Sequence, residues 1–225
     1  MRLLLVGCEY SGTTTVANAI NEWMFEKMGS RFSLIHDHWK IPHTSGHPDD
    51  TTAKEQTWLL QASPKFMEMH QRHSLYYHIQ VGTFDGHDGM VVGGHIEDAV
   101  YGPMYFGYGK KGTRHDRELV AHQVERTILR LTNDMVIVHL KTTTDVILKR
   151  MKTNPHENGV IKPTDVDTVK ARFSELVDRS LLTKRIKIDN SGPLHETIKQ
   201  FENFASVSLV KNYRNCRNAA GGGSI

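Results

Sequence analysis

The chain has 225 residues, 38% of them hydrophobic, and a formal net charge of +3. This length predicts one domain with a substantial core, and no apolar run reaches the roughly 18 residues that a membrane span needs. Two cysteines are too few for a disulfide framework, and no block of lysine and arginine indicates a nucleic-acid surface. We therefore expect a soluble cytoplasmic protein whose partners are small molecules rather than membranes or nucleic acid.

The chain opens on a predicted strand, loop and helix that together follow the P-loop pattern G-x-x-x-x-G-K-[ST]. The apolar run over 2–6 is typical of a buried parallel strand, and residues 16–28 predict a helix. Two glycines allow the loop amides to turn inward around an anion, and the helix N-terminus adds the positive end of its dipole. The residues predicted to bind a phosphate-bearing cofactor are Gly7, Ser11, Gly12, Thr13, Thr14 and Thr15.

One position departs from this pattern, because Thr13 stands where a lysine is expected. The lysine ammonium normally stabilises the charge that moves during phosphoryl transfer, whereas a threonine donates only a neutral hydrogen bond. Thr14 keeps the position whose hydroxyl meets Mg²⁺. Either another cation covers the phosphates, or the loop binds a phosphate without transferring it.

The rest of the chain alternates short strands with helices. In chain order we predict strands over 31–36, 88–94, 135–140 and 185–188, and helices over 53–81 (broken near Pro64), 115–131, 142–152, 165–182 and from about 194 to 209. The glycine-rich and aromatic segment 101–112 is predicted to be a loop or a short irregular helix. This alternation predicts a three-layer α/β/α fold with a parallel sheet. We assign residues 1–210 to one domain, with a helical lid over about 149–180, and residues 211–225 to a flexible tail.

Acidic residues follow two of the predicted strands, and parallel strands bring their carboxyl ends together at one edge of the sheet. Asp37 follows the second strand and is a candidate base for an attacking hydroxyl, or alternatively a helix or turn cap. Glu97 and Asp98 follow the third strand. They are predicted to hold Mg²⁺ directly or through water, with Glu97 preferred, or alternatively to cap the next helix.

Basic residues before the lid are candidates for the cation that Thr13 cannot supply. Arg150 is preferred because its guanidinium binds phosphate through two donors, although a basic residue at this place is also typical of a helix C-terminus. The basic residues between 110 and 117 are interpreted either as contacts to a substrate phosphate or as a solvated face.

These residues resemble the P-loop nucleoside and nucleotide kinases, in particular the deoxynucleoside and thymidylate kinase group. The likeness rests on GCEYSGTT, on VVGGHIEDAVYGPMYFG with Glu97 in the acidic position, on MVIVHLKTTTDVILKRM, and on IKIDNSGPLHETIKQF. It implies a five-stranded parallel sheet, bound ATP and Mg²⁺, and phosphorylation of a nucleoside or nucleotide. It also implies a substrate-site role for Asp37 and an adenine-side loop that contains Asn190. The arginine that this family places beside the acidic residue is absent.

Two other functions remain open. A nucleotide-binding protein without phosphoryl transfer would explain the missing lysine. The string SGTT also resembles the phosphosulfate-binding loop of PAPS-dependent sulfotransferases, although Glu9 and Tyr10 precede it where those enzymes usually have basic or proline-rich residues. The oligomeric state is undecided, and a homodimer is possible.

Overall fold

The structure, a computed structural model, describes residues 1–38, 52–79, 88–156 and 159–208, and at positions 37, 38, 53 and 56 it describes the backbone only. Its centre is a sheet of five parallel strands in the order β2-β3-β1-β4-β5. The strands are β1 (Arg2–Val6), β2 (Leu34–His38), β3 (Gly89–Gly93), β4 (Met135–Lys141) and β5 (Arg185–Asp189). The predicted α/β fold with a five-stranded parallel sheet is confirmed.

The inner strands are apolar because helices cover both faces of the sheet. In β1, Leu3 and Leu5 pack into one core while Leu4 and Val6 pack into the other. The first core lies against α1 (Thr13–Met28) and α8 (Leu194–Ser208). The second lies against α4 (Gly94–Tyr105), α5 (Arg117–Leu131), α6 (Thr144–Thr153) and α7 (Val166–Arg179).

Two further helices, α2 (Ala53–Leu60) and α3 (Pro64–His78), confirm the predicted break near Pro64. Pro64 is the first residue of α3, where its missing N–H costs nothing, and the Ser63 hydroxyl accepts a hydrogen bond from the N–H of Phe66 at 3.3 Å. A single 3₁₀ turn over Pro163–Asp165 leads into α7. None of the described helices is long and apolar enough to cross a membrane.

The prediction of a loop or irregular helix over 101–112 was wrong at its start, because α4 continues to Tyr105 through Pro103. Residues 94–102 of this helix are all buried. Contacts with α3, α5 and α7 surround it. Packing on this scale outweighs the weak helix propensity of glycine and the hydrogen bond that proline removes.

A buried histidine in β4 makes stability depend on pH. Burial, followed by the charges of Lys141 and Lys187, lowers the pKa of His139 to about 4 from an ordinary 6.5. Between these values the unfolded chain binds a proton that the folded chain does not, so stability falls as the pH drops through that window. We expect His139→Gln to lose less stability than wild type between pH 7 and pH 5, by as much as about 2 kcal/mol.

Urea denaturation at the two pH values measures this difference. His195→Gln is the matched control, because His195 is exposed on α8, and it should keep the wild-type pH dependence. Identical pH dependence in His139→Gln and wild type would show that His139 is not buried as a neutral group.

Candidate functional site

Two glycines bound the loop that follows β1, and neither position has room for a side chain. Gly12 has φ of 90° and forms the N-cap of α1. A Cβ atom there would lie 2.8 Å from Nδ2 of Asn190, and one at Gly7 would lie 2.4 Å from Oγ of Ser11 and 3.2 Å from the carbonyl oxygen of Leu140. The loop therefore needs glycine at both ends, for conformation at Gly12 and for close packing at both positions.

The carbonyl oxygen of Ser11 accepts hydrogen bonds from three side chains, two of which directly follow other strands of the sheet. It accepts hydrogen bonds from Nδ2 of Asn190 at 2.6 Å, from Nη1 of Arg150 at 3.1 Å and from Oγ1 of Thr142 at 3.4 Å. Asn190 is itself oriented by Oγ1 of Thr197, which donates to its Oδ1 at 2.7 Å. The ends of β4 and β5 thus fix the shape of the loop after β1.

Arg150 lies beside the loop, where the sequence predicted a cation, but its guanidinium contacts backbone oxygens. Nη1 donates to the carbonyls of Tyr10 and Ser11 at 3.0 and 3.1 Å, and Nη2 donates to the carbonyl of Asn190 at 2.9 Å. Partial burial lowers the pKa of Arg150, yet an arginine stays charged. In this arrangement Arg150 supports the loop from its carbonyl side.

The amides that a phosphate would meet lie mainly at the start of α1. Within the loop, the N–H of Glu9 donates to Oη of Tyr101 at 2.8 Å and the N–H of Ser11 donates to the carbonyl of Cys8 at 2.8 Å. The N–H groups of a helix's first turn have no acceptor within the helix. The first turn of α1 carries Thr13, half-buried, with Thr14 and Thr15 exposed. This end of the helix suits an anion better than the loop's own amides do.

One buried side chain in the loop lacks a polar contact. Ser11 is 1% exposed, and its Oγ has no hydrogen-bond partner among the described residues. A buried hydroxyl without a partner costs free energy. The contact between Ser11 and a phosphate stays a prediction.

Glu97 lies in the first turns of α4 and is buried. Burial, together with the negative charges of Glu9 and Glu97, raises the pKa of the thiol of Cys8, a residue of the loop over 7–12. The helix begins at Gly94 with Gly93 as its N-cap, so the alternative reading of Glu97 or Asp98 as the cap is wrong.

Asp98 pairs with Arg117, a buried arginine among the basic residues that were interpreted either as substrate contacts or as a solvated face. Its Oδ2 lies 2.9 Å from Nε of Arg117, and its Oδ1 accepts the hydroxyl of Tyr108 at 2.6 Å. Nη1 of Arg117 lies 3.2 Å from Oε1 of Glu68, and Nη2 donates to the Glu68 carbonyl at 3.0 Å. Burial raises the pKa of Asp98, and the charge of Arg117 offsets part of that rise. Arg117 is 1% exposed, so it neither faces a substrate phosphate nor forms a solvated face.

This ion cluster was not predicted from the sequence, and neither was a second buried ion pair. Nε2 of His95 lies 3.2 Å from Oε1 of Glu125, which also accepts the hydroxyl of Ser180 at 2.5 Å. Burial raises the pKa of Glu125, but these bonds and the N–H of Leu181 outweigh burial and leave it lowered. The pair fixes the start of α4 two residues before Glu97. The sequence feature that could have indicated this pair is His95, a histidine directly after the predicted strand over 88–94.

Asp37 does not follow the second strand as predicted, because β2 runs over Leu34–His38 instead of 31–36 and the backbone of Asp37 lies within it, opposite Val92 in the register with β3. β2 and β3 end at the edge of the sheet that also carries the phosphate loop. The side chain of Asp37 and the predicted tail over 211–225 lie outside the described part of the chain.

The fold is similar to solved structures of a deoxyadenosine kinase from M. mycoides. The complex with bound dATP has a TM-score of 0.61 and 13% sequence identity, and the match covers 92% of this chain and 100% of that one. The complexes with dCMP and dCDP as products and with bound dCTP give TM-scores of 0.58 and 0.56, at 14% and 13% identity over 92% of this chain and 99% of those. No protein-family profile and no curated protein sequence matches. At this identity the likeness establishes the nucleoside-kinase-like fold.

Proposed function

We propose that the protein is a kinase that transfers the γ-phosphoryl group of ATP to a nucleoside or a nucleoside monophosphate. The observation that carries the proposal is the loop over 7–12, bounded by two sterically required glycines at the carboxyl end of β1. The fold shared with a deoxyadenosine kinase that binds dATP and dCTP supports it.

The proposed roles follow from where the residues lie. The first turn of α1 would bind the phosphates through its amides and the hydroxyls of Thr13 and Thr15. Arg150 would hold the loop and lend its positive charge, and Asp37 would accept the proton of the attacking hydroxyl or anchor the substrate. Asn190 orients the loop beside the proposed nucleotide site.

Thr14 and Glu97 are the residues we propose to hold Mg²⁺, which when bound would neutralise charge on the phosphates. Among the described residues no three histidine, cysteine or acidic side chains form a metal site by themselves. We do not assign Asp98 to the metal, because both its oxygens contact Arg117 and Tyr108.

One observation favours a second function, nucleotide binding without transfer. Thr13 replaces the lysine, and the guanidinium of Arg150 is engaged with backbone carbonyls. Unless Arg150 turns toward the ligand, the phosphates would meet amides and hydroxyls with little positive charge.

A phosphorylation assay across nucleosides and nucleoside monophosphates, with ATP and Mg²⁺, tests the proposal. We expect a phosphorylated product, and we expect Glu97→Gln to lower kcat by about a hundredfold because it removes a proposed metal ligand. Glu175→Gln is the control, since this exposed carboxylate on α7 pairs with Arg172 and Arg179.

The other outcomes each have a meaning. Stabilisation by ATP and Mg²⁺ without product would support the binding protein. Stabilisation by a phosphosulfate donor but not by ATP would support the sulfotransferase alternative. Equal turnover in Glu97→Gln and wild type would remove Glu97 from the site.

A further inference from the structure

The phosphate loop and the lid contact each other through a buried carboxylate. Oε2 of Glu9 accepts hydrogen bonds from the N–H groups of Val160 and Ile161 at 3.0 and 3.1 Å, and Oε1 lies 3.0 Å from Nδ1 of His156. The side chain of Glu9 is 4% exposed. Two successive amides and an imidazole from the lid therefore converge on one anion that belongs to the loop.

Tyr10 adds a second set of contacts between the same two segments. Its ring stacks on the ring of His156 with centroids 4.0 Å apart, and its hydroxyl accepts the N–H of His156 at 3.0 Å. Tyr10 is the only non-glycine residue with positive φ in the described part of the chain, at 68°. A Cβ atom at Gly159 would lie 2.9 Å from the Tyr10 hydroxyl. These contacts with His156 and Gly159 hold the backbone of Tyr10 in an uncommon conformation.

The charged residues of the loop over 7–12 indicate how its contact with the predicted lid would affect phosphate binding. The sequence from Gly7 to Gly12 contains Glu9 and no lysine or arginine. A buried carboxylate next to a phosphate site repels the ligand unless donors surround it. In this structure the N–H groups of Val160 and Ile161 and the imidazole of His156 surround Glu9, so contact with the predicted lid supplies the donors that offset this repulsion.

We propose that Glu9 is a positioning residue that latches the lid, residues 156 and 159–161, onto the phosphate loop, with Tyr10 as its second contact. The latch couples lid position to the charge of the loop. It does not depend on phosphoryl transfer, because every contact joins residues of the chain itself.

Amide hydrogen exchange of the full chain without ligand tests the latch. We expect Glu9→Gln, which keeps the size but loses the charge, to raise the exchange rates of Val160 and Ile161 by about tenfold or more. Exchange in β1 and β4, and the urea midpoint, should stay at the wild-type values. Glu175→Gln is the matched control and should leave exchange at 159–165 unchanged, because its carboxylate contacts α7 only.

Wild-type exchange at Val160 and Ile161 in folded Glu9→Gln would overturn the latch, as would an equal rise across β1 and β4, which would indicate a general loss of stability. If Glu9→Gln does not fold, Tyr10→Phe decides by exchange at His156, since it removes only the hydroxyl that accepts the N–H of that residue; a wild-type rate at His156 in folded Tyr10→Phe would overturn the latch. Neither outcome depends on catalysis, so the latch and the proposed kinase activity can fail independently.

Discussion

Replacing Arg117 with methionine is expected to destabilise the protein by about 3–5 kcal/mol at pH 7, the cost of leaving buried charges without their partner. Asp98 and Glu68 both lose their contact with the guanidinium. The arginine side chain is also closely packed, since a Cβ atom at Gly109 would lie 2.3 Å from its Cγ and its guanidinium carbon lies 4.9 Å from the Tyr108 ring centroid. Methionine fills much of the volume, so the loss measures mainly the charge.

Urea denaturation at pH 7 measures this free energy. Arg126→Met, at an exposed position of the same helix, is the control and should change stability by less than about 0.5 kcal/mol. The deficit of Arg117→Met should shrink at lower pH, because Arg117 offsets part of the burial-raised pKa of Asp98; without the guanidinium that pKa rises further, and protonation of Asp98 then favours the folded state. Wild-type stability in Arg117→Met would show that the carboxylates are neutral or solvated in the native protein.

The second large effect is expected from Arg150→Ala, which should weaken binding of ATP and Mg²⁺ by about 10- to 100-fold. The guanidinium donates to three carbonyls, those of Tyr10, Ser11 and Asn190. Removing it leaves these oxygens with fewer donors and weakens the link between the loop and the end of β5, where the bond from Nδ2 of Asn190 to the carbonyl of Ser11 remains. Binding therefore suffers together with turnover. Under the interpretation from sequence, in which Arg150 neutralises the transferring phosphoryl group, turnover would fall far more than ATP binding.

Isothermal titration calorimetry measures the loss of ATP binding, and steady-state kinetics measures the loss of turnover, so together they separate the two interpretations of Arg150. Lys152→Ala, an exposed cation two residues away on α6, is the control for the loss of charge and should bind ATP nearly as wild type does. Arg150→Lys should behave closer to alanine than to arginine, because a single ammonium does not reproduce the planar guanidinium fork. Unchanged ATP affinity with slow turnover in Arg150→Ala would restore the role predicted from sequence.

The local patterns of the chain were sufficient for the sheet and the loop. The apolar runs over 2–6 and 135–140 become β1 and β4 almost residue for residue, because a strand buried on both faces needs an uninterrupted apolar sequence. The helix break at Pro64 and the glycine at position 12 were also predicted from the sequence. Each of these features has a physical cause that acts on neighbouring residues. The cause is burial for the strands, the missing N–H for Pro64 and the positive φ for Gly12.

Contacts between distant residues were less predictable. Arg117 was interpreted either as a substrate-phosphate contact or as part of a solvated face, because nothing nearby in sequence shows that Glu68 and Asp98 would surround it. Glu9 was noted only as a departure from a sulfotransferase loop, and its partner Ile161 is 152 positions away. Charged side chains of this kind are compatible with solvent or with a buried ion pair, and only the packing of helices decides between them.

By itself the sequence determined a parallel sheet with a glycine-bounded loop at the end of its first strand, and it showed that Thr13 stands where the P-loop pattern has lysine. The tertiary structure decided the partners of the charged side chains. It placed Arg150 on the carbonyls of the loop, enclosed Asp98 with Arg117, and paired Glu9 with the N–H groups of Val160 and Ile161. The reason is that backbone periodicity and glycine conformation are local properties, whereas the environment of a charge depends on which groups the fold brings within hydrogen-bond distance of it.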